Sequence, residues 1–407
     1  DRASSIYAPV VHILALLTFV GWIATTGDWR QATLIAVSVL IITCPCALGL
    51  AVPVVQVIAA GRLFENGIMV KDGSAMERLA EADYAVFDKT GTLTRGKPVL
   101  LNADEVAARD LALAARIAQH SRHPLSKALA VAGQSASAVN LPSLSVNEIA
   151  GEGLEAVTAD GGVYRLGRAG FALADDRDAD DGGSEVVFSH NGAEVATFRF
   201  ADSVRTGAGA ALASLKDRGI VAEVLSGDRE RPVALLAKQL GLTSWLSRAL
   251  PADKVARLEA LREEGRKVIM VGDGLNDAPA LSAASVSMAP ASAADVGRQA
   301  ADFVFLHDSL EAVPVALSIS QRANRLIRQN FALAILYNLI AVPLAVLGHA
   351  SPLVAAIAMS SSSVIVVLNS MRLKWRHSDT KLAVEPAGKQ MRDADASGLA
   401  GSAGVTA

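Results

Sequence analysis

The sequence predicts a multi-domain membrane protein, with α-helical transmembrane spans at both ends and an α/β domain between them that carries an α+β insertion. Three observations carry this. Hydropathy is high, with 51% hydrophobic residues and a mean hydropathy of +0.34, but long uncharged stretches lie at the two ends and the charges in the middle. The middle alternates short apolar, β-rich runs with helical segments, as parallel βαβ units do. That alternation is interrupted by a glycine-punctuated series of consecutive β-like runs. A net charge of −3 over 407 residues, with 4% aromatics, gives no support for a nucleic-acid partner.

Residues 1–61 hold two spans. Residues 7–26 are apolar apart from His12 and a few hydroxyls, enough for a span of about twenty residues. Gly27-Asp28-Trp29-Arg30 is a polar turn. Residues 33–61 form a second uncharged stretch, interrupted by Pro45 and Pro53. Such breaks are tolerated where the freed backbone groups line a protein cavity or an ion site. The 2 cysteines, Cys44 and Cys46, lie inside it. One residue apart, they are poorly placed for an ordinary structural disulfide, and the cysteine-free middle fits a reducing, cytosolic location. Asp1 to Ser5 make no signal-peptide n-region, and the chain reads as starting partway through something larger.

Arg62, Glu65, Lys71, Asp72, Glu77 and Arg78 mark the exit into water. The α/β domain is expected over 62–97 and 201–325, with the insertion at 98–200. Tyr84-Ala85-Val86-Phe87 reads as a buried strand. Within the insertion, 103–132 reads as helical, and 154–158, 163–166, 186–188 and 195–198 as strands. The acidic tract 175–181 lacks ordered ligand spacing and reads as an exposed hairpin loop without a metal. Strand 220–225, helix 231–240, helix 252–264 and strand 268–271 then resume the parallel alternation. Residues 326–371 hold two further spans, 330–347 and 352–368. Arg322, Arg325 and Arg328 precede them and Arg372, Lys374 and Arg376 follow, which places the large domain and C-terminus on the cytoplasmic side. The tail, 372–407, is poor in large apolar residues and is expected to be disordered.

The chemistry starts at Asp88-Lys89-Thr90-Gly91-Thr92-Leu93-Thr94. An Asp at the carboxyl end of a parallel strand faces the crevice where α/β sheets bind ligands, and a carboxylate there can attack phosphorus to form an aspartyl-phosphate. Lys89 and the loop's hydroxyls and amides would face phosphoryl oxygens. Three more loops belong to the same sheet edge. Ser226, in Leu225-Ser226-Gly227-Asp228, can donate to a phosphoryl oxygen, and Lys254 can neutralise its charge. Gly272-Asp273-Gly274-Leu275-Asn276-Asp277 offers Asp273 and Asp277 to a hard cation, for which Mg²⁺ is suited.

Together these motifs resemble P-type ATPases, whose phosphorylation domain has the haloacid-dehalogenase-like fold. The resemblance runs from the first span to about Lys374. It implies that Asp88 accepts the γ-phosphate of ATP, that Lys89, Ser226, Lys254 and Asp277 serve that site, and that Asp88, the Thr90 main-chain carbonyl and Asp273 hold Mg²⁺. Phosphatases of this fold generally carry an acid/base Asp two positions after the nucleophile. Thr90 stands there, so the aspartyl-phosphate should hydrolyse slowly. Ser121-Arg122-His123-Pro124-Leu125 resembles the His-Pro motif of the heavy-metal branch, in which the His faces adenine, and Gly151, Gly153 and Gly167 resemble its nucleotide-binding glycines. Ala118 stands where that branch usually has Glu.

Cys44-Pro45-Cys46 at a helix break offers soft thiolates, which select Cu(I). Tyr337, Asn338, Met359 and Ser362 on the later spans complete the expected cargo site, and neither span interior carries an acidic or lysine side chain. The pattern resembles copper(I) pumps, with Zn²⁺ as the alternative cargo. The run 358–363 with 53–56 resembles the FixI-type branch, associated with cbb3-type oxidase assembly and nitrogen fixation. That resemblance implies ATP, the lipid bilayer and a metal ion as partners, with a copper chaperone and oxidase-assembly membrane proteins beyond them. A membrane-anchored phosphatase, or a non-catalytic fragment of a membrane complex, are the readings from other classes. The actuator domain and earlier spans of such pumps do not occur in this sequence, which reads as a C-terminal portion.

Overall fold

The computed structural model describes residues 2–136, 143–149, 151–173, 184–274 and 277–375. The acidic tract 175–181, Leu275, Asn276 and the tail from 376 onward lie outside the described residues. The chain divides into two compact units, one of residues 81–313 and one of residues 1–80 with 314–407.

In the first unit, a parallel sheet carries strands in the order Phe303–Phe305, Val286–Pro290, Val268–Val271, Tyr84–Asp88, Val221–Leu225 and Ser244–Leu246. Tyr84–Asp88 is buried along its whole length, as expected of a strand covered on both faces. After it the chain moves outward on one side, to Val221–Leu225 and Ser244–Leu246, and then returns to Val268–Val271 on the other. Asp88 therefore ends the strand at which the winding reverses, the place where such sheets bind ligands. The core beneath the sheet edge joins Val86, Leu225, Leu258, Leu261, Met270 and Leu281.

The insertion is a second, antiparallel sheet in the order Thr94–Leu100, Ala193–Val204, Ser184–His190, Val163–Gly167, Gly153–Thr158 and Leu144–Ile149. Helices Ala108–Ala118 and Pro124–Ala132 supply Leu113, Ile117 and Leu129 to its core, against Phe188, Phe198 and Leu154. Two sequence expectations change here. The helix expected over 103–132 is broken, because Pro124 disfavours helical backbone at the preceding residue, and His123 is extended at φ −61°, ψ 140°. The strands Thr94–Leu100 and Leu144–Ile149 escaped the sequence reading because Gly, Lys, Pro, Asn and Glu interrupt their apolar alternation. Ala193–Val204 runs 12 residues without interruption, so the insertion's sheet extends past the expected boundary at 200.

The other unit is mainly helical, with one short strand, Ile68–Val70. Among the described residues, four segments are long and apolar enough to cross a membrane: Pro9–Thr26, Trp29–Glu65, Ala312–Val346 and Pro352–Lys374. The second is three helices in series, Trp29–Ile42, Cys46–Leu50 and Pro53–Glu65, broken where Pro45 and Pro53 were expected to break it. Asp28 caps the first of these, accepting from the Arg30 and Gln31 amides at 2.9 and 3.2 Å. The helix expected over 330–347 begins far earlier, at Ala312, and runs 35 residues. Arg322, Arg325 and Arg328 mark a change in polarity rather than the end of the helix.

Candidate phosphoryl-acceptor and metal sites

Asp88 leaves its strand at φ −69°, ψ 155°. The next residues turn tightly: Thr90 is extended and Gly91 is left-handed at φ 73°, a region in which side chains are strained. Space also demands glycine there, since a Cβ on Gly91 would lie 2.5 Å from Asp273 Oδ2. The turn closes through the Thr94 amide, which donates to the Lys89 carbonyl. The Thr94 hydroxyl also meets that carbonyl, at 3.1 Å, and the Asp202 carboxylate.

Lys254 lies in the first turn of Pro251–Glu263 and is 5% exposed. Its Nζ donates to Asp88 Oδ1 and to Asp277 Oδ1, each at 2.6 Å. Asp88 and Asp277 are themselves 5% and 2% exposed, so this is a buried cation between two buried carboxylates. Asp273, reached from Val268–Val271, completes a cluster: Asp88, Asp273 and Asp277 each offer an oxygen within 4.8 Å of the others. Three hard oxygen donors beside a position for phosphate oxygens fit Mg²⁺. Asp277, offered with Asp273 to a hard cation by the sequence, belongs to this cluster. Thr90 is exposed in the loop, and no carboxylate takes its place two residues after Asp88.

Burial and the Asp277 carboxylate raise the Asp88 carboxyl to about 7, against the opposing pull of Lys254. A carboxyl so raised keeps its proton as pH rises past the ordinary carboxylate range. Mg²⁺ must displace that proton, so affinity for Mg²⁺ should increase between about pH 6 and 8. Calorimetric Mg²⁺ titrations at the two pH values check this, and equal affinities would refute it.

Ser226 is buried, and its hydroxyl accepts from the Asp228 amide at 3.1 Å. Lys89 was expected to face phosphoryl oxygens, but its Nζ pairs with the Asp228 carboxylate. Behind the metal-cluster loop the backbone is packed against itself. Gly274 is left-handed at φ 76°, and a Cβ there would fall 2.0 Å from Gly297 Cα. Gly274→Ala should cost about 3 kcal/mol or more, read as a lower denaturation midpoint. An unchanged midpoint would contradict this close approach.

In the insertion, His123 caps Pro124–Ala132, its Nδ1 accepting from the Leu125 amide at 3.3 Å. The His-Pro turn is tied to the strand before the glycines, because the His123 amide donates to Ser121 Oγ at 3.1 Å and Ser121 Oγ to Glu148 at 2.6 Å. Gly153 and Gly167 are cross-strand partners. A Cβ on Gly153 would lie 2.4 Å from the Leu166 carbonyl and one on Gly167 2.4 Å from that of Glu152, so strand pairing alone requires both. Gly151 turns at φ 77° in open space. Ala118 is fully buried in the core shared by Ile117 and Leu129.

In the membrane unit, Cys44 and Cys46 lie on either side of Pro45 with their Cα atoms 5.5 Å apart, and the turn brings both sulfurs to one side, facing one site. The Cys46–Leu50 turn packs through Ala47 and Ala51 onto Ala334 and Val366 of the two later helices. Asn338 Oδ1 is buried without a hydrogen-bond partner, and Ser362 is buried on the last helix. Tyr337 packs against the cluster of Val39, Ile42 and Ala345, and Met359 is half-buried. Asn330 escaped the sequence reading. It is fully buried, donating to the Ala51 carbonyl at 3.3 Å and Ser370 Oγ at 3.0 Å and accepting from Asn369 at 2.9 Å.

Residues 82–285 match the family model of haloacid dehalogenase-like hydrolases. The chain is 58% identical over 374 residues to nitrogen fixation protein FixI of Rhizobium meliloti (strain 1021), covering 92% of this chain and 49% of that protein. It is 36% identical over 390 residues to the probable copper-exporting P-type ATPase V of Mycobacterium tuberculosis (strain CDC 1551 / Oshkosh), covering 92% and 50%. A crystal structure of a zinc-transporting PIB-type ATPase in an E2.Pi state superposes with TM-score 0.82 at 30% identity, covering 92% of this chain and 63% of that one. The chain thus spans about half the length of the curated relatives it matches. It belongs to the haloacid dehalogenase-like hydrolase family, and the proteins it resembles over 92% of its length include a probable copper-exporting P-type ATPase and a zinc-transporting PIB-type ATPase.

Proposed function

We propose that this chain carries the phosphorylation, nucleotide and cargo sites of an ATP-driven pump that moves Cu(I) out of the cytoplasm. The observation that supports it most is Asp88, held at the switch point of the parallel sheet by Lys254 and beside Asp273 and Asp277. An Asp88 oxygen attacks the γ-phosphorus of ATP, the bond from that phosphorus to the bridging oxygen breaks, and ADP leaves with the electron pair. Asp88, Asp273 and the Thr90 carbonyl would hold Mg²⁺, which would neutralise charge at the phosphates. Lys254 shields the carboxylates from each other and offers its ammonium to the transferred phosphoryl group, while Ser226 offers a hydroxyl. Thr90 can neither take nor give a proton as a carboxyl would, so the aspartyl-phosphate persists long enough for a conformational change. The nucleotide sits in the insertion, near His123, Pro124, Gly151, Gly153 and Gly167.

The cargo reading rests on Cys44, Cys46 and the unpartnered Asn338 oxygen, with Tyr337, Met359 and Ser362 on the adjacent helices. Two thiolates without an acidic neighbour favour a soft monovalent ion. Likeness to a zinc-transporting structure supports Zn²⁺ as the second reading. In the reconstituted protein, Cu(I) should stimulate phosphoenzyme formation and Zn²⁺ should not. Cys44→Ala or Cys46→Ala should abolish the stimulation while leaving ATP affinity unchanged. Stimulation by Zn²⁺ alone would transfer the reading to the divalent branch. The similarity to FixI supports a role in supplying copper for oxidase assembly, with a chaperone delivering it.

A further inference from the structure

Arg205 takes no part in the chemistry above, yet it is 3% exposed and three of its hydrogen bonds converge on one loop. Its Nε–H donates to the Thr92 carbonyl at 2.7 Å, and an Nη–H to the Gly91 carbonyl. Its own backbone amide donates to the Leu93 carbonyl at 2.8 Å. Three successive carbonyls of the loop after Asp88 therefore point at one residue. In a trans peptide the carbonyl and the following N–H are opposed, so this grip also directs the Thr92 and Leu93 N–H groups away from the guanidinium.

The other Nη of Arg205 pairs with the Asp308 carboxylate. Arg95 Nε also reaches Asp308, at 3.1 Å, and Arg95 Nη2 reaches the Thr206 hydroxyl at 2.6 Å. The Leu310 amide donates to the Thr206 carbonyl at 3.0 Å. Residues 308–310 immediately precede the helix Ala312–Val346.

We propose that Arg205 is a positioning residue for the phosphoryl-acceptor loop, with Asp308 as its anchor, so that the loop after Asp88 and the chain entering the long helix are held by one guanidinium. This rests on the reading of Asp88 as phosphoryl acceptor. The planar fork is what allows two carbonyls and a carboxylate to be held at once, and a lysine ammonium cannot reproduce it. Arg205 does not touch the nucleotide lobe's His-Pro turn or its glycines, so its loss should spare ATP binding.

The test uses the membrane-reconstituted protein carrying Arg205→Lys, Arg205→Gln or Asp308→Asn. Three quantities are read: affinity for a fluorescent ATP analogue, the rate of acid-stable phosphoenzyme formation from γ-labelled ATP, and affinity for beryllium fluoride, a phosphoryl mimic, with Mg²⁺. A loop displaced by about 1 Å should lower the phosphorylation rate and fluoride affinity about 100-fold in both Arg205 variants, with Lys giving no rescue. Asp308→Asn should lower both about tenfold, and ATP affinity should stay within about twofold in all three. Rescue by Lys, or ATP affinity falling in step with the phosphorylation rate, would reduce Arg205 to a stabilising contact and overturn the proposal. A wild-type protein that forms no phosphoenzyme at Asp88 would instead overturn the reading beneath it.

Discussion

Asp88→Asn should abolish phosphoenzyme formation, by at least about a thousandfold, while leaving the fold intact and ATP still bound. The amide oxygen can still accept from Lys254, but it has no charge to attack phosphorus. The direction of the stability change separates this site from an ordinary buried ion pair. Burial and Asp277 together push the Asp88 carboxyl up to about 7, so the folded protein holds a proton there that the unfolded chain releases near pH 4. Stability from this group is therefore greatest in acid and falls as pH rises toward 7. Asn removes that penalty, and the variant should melt no lower than the wild type at pH 8. Acid-quenched labelling with γ-labelled ATP and a melt at pH 6 and pH 8 check both parts. Labelling retained in the variant would mean another residue accepts the phosphoryl group.

The site was legible in the sequence because each of its parts follows a strand, or opens a helix, in a parallel sheet. Asp88, Ser226 and Asp273 follow Tyr84–Asp88, Val221–Leu225 and Val268–Val271, and strand-end placement needs only local apolar runs to be seen. What was not legible depends on distant partners. Arg205 reads as one more charged residue until a neighbouring loop turns its carbonyls toward it. Asn330 reads as a polar interruption until the carbonyl of Ala51 is freed by the break before Pro53. The helix Ala312–Val346 was cut short in the reading because hydropathy reports the solvent around a helix and says nothing of backbone that stays helical in water. The strands Thr94–Leu100 and Leu144–Ile149 were missed for a related reason. Their pattern answers to cross-strand partners rather than to a period visible within them.

Lys254 is where fold and chemistry depend on the same atom. Its ammonium is 2.6 Å from both Asp88 Oδ1 and Asp277 Oδ1, and the attraction of both carboxylates outweighs its burial, so its pKa is raised and it stays charged. Lys254→Met keeps the apolar stem and removes the cation. Two carboxyls then share a buried site with no counter-charge, which should cost about 3–5 kcal/mol, or a melting point lower by about 10 °C in a unit of this size. Because the Asp88 carboxyl escapes the cost by taking up a proton that the unfolded chain does not hold, the variant should be closer to wild type at pH 6 than at pH 8. Asp277→Asn in the same chain removes one of the two charges and should restore much of the lost stability, a non-additivity that distant sites would not show. It should restore none of the phosphoryl transfer, since the ammonium that would balance the γ-phosphoryl oxygens remains absent. Full additivity of the two substitutions in thermal melts would mean that Lys254 does not bridge these carboxylates.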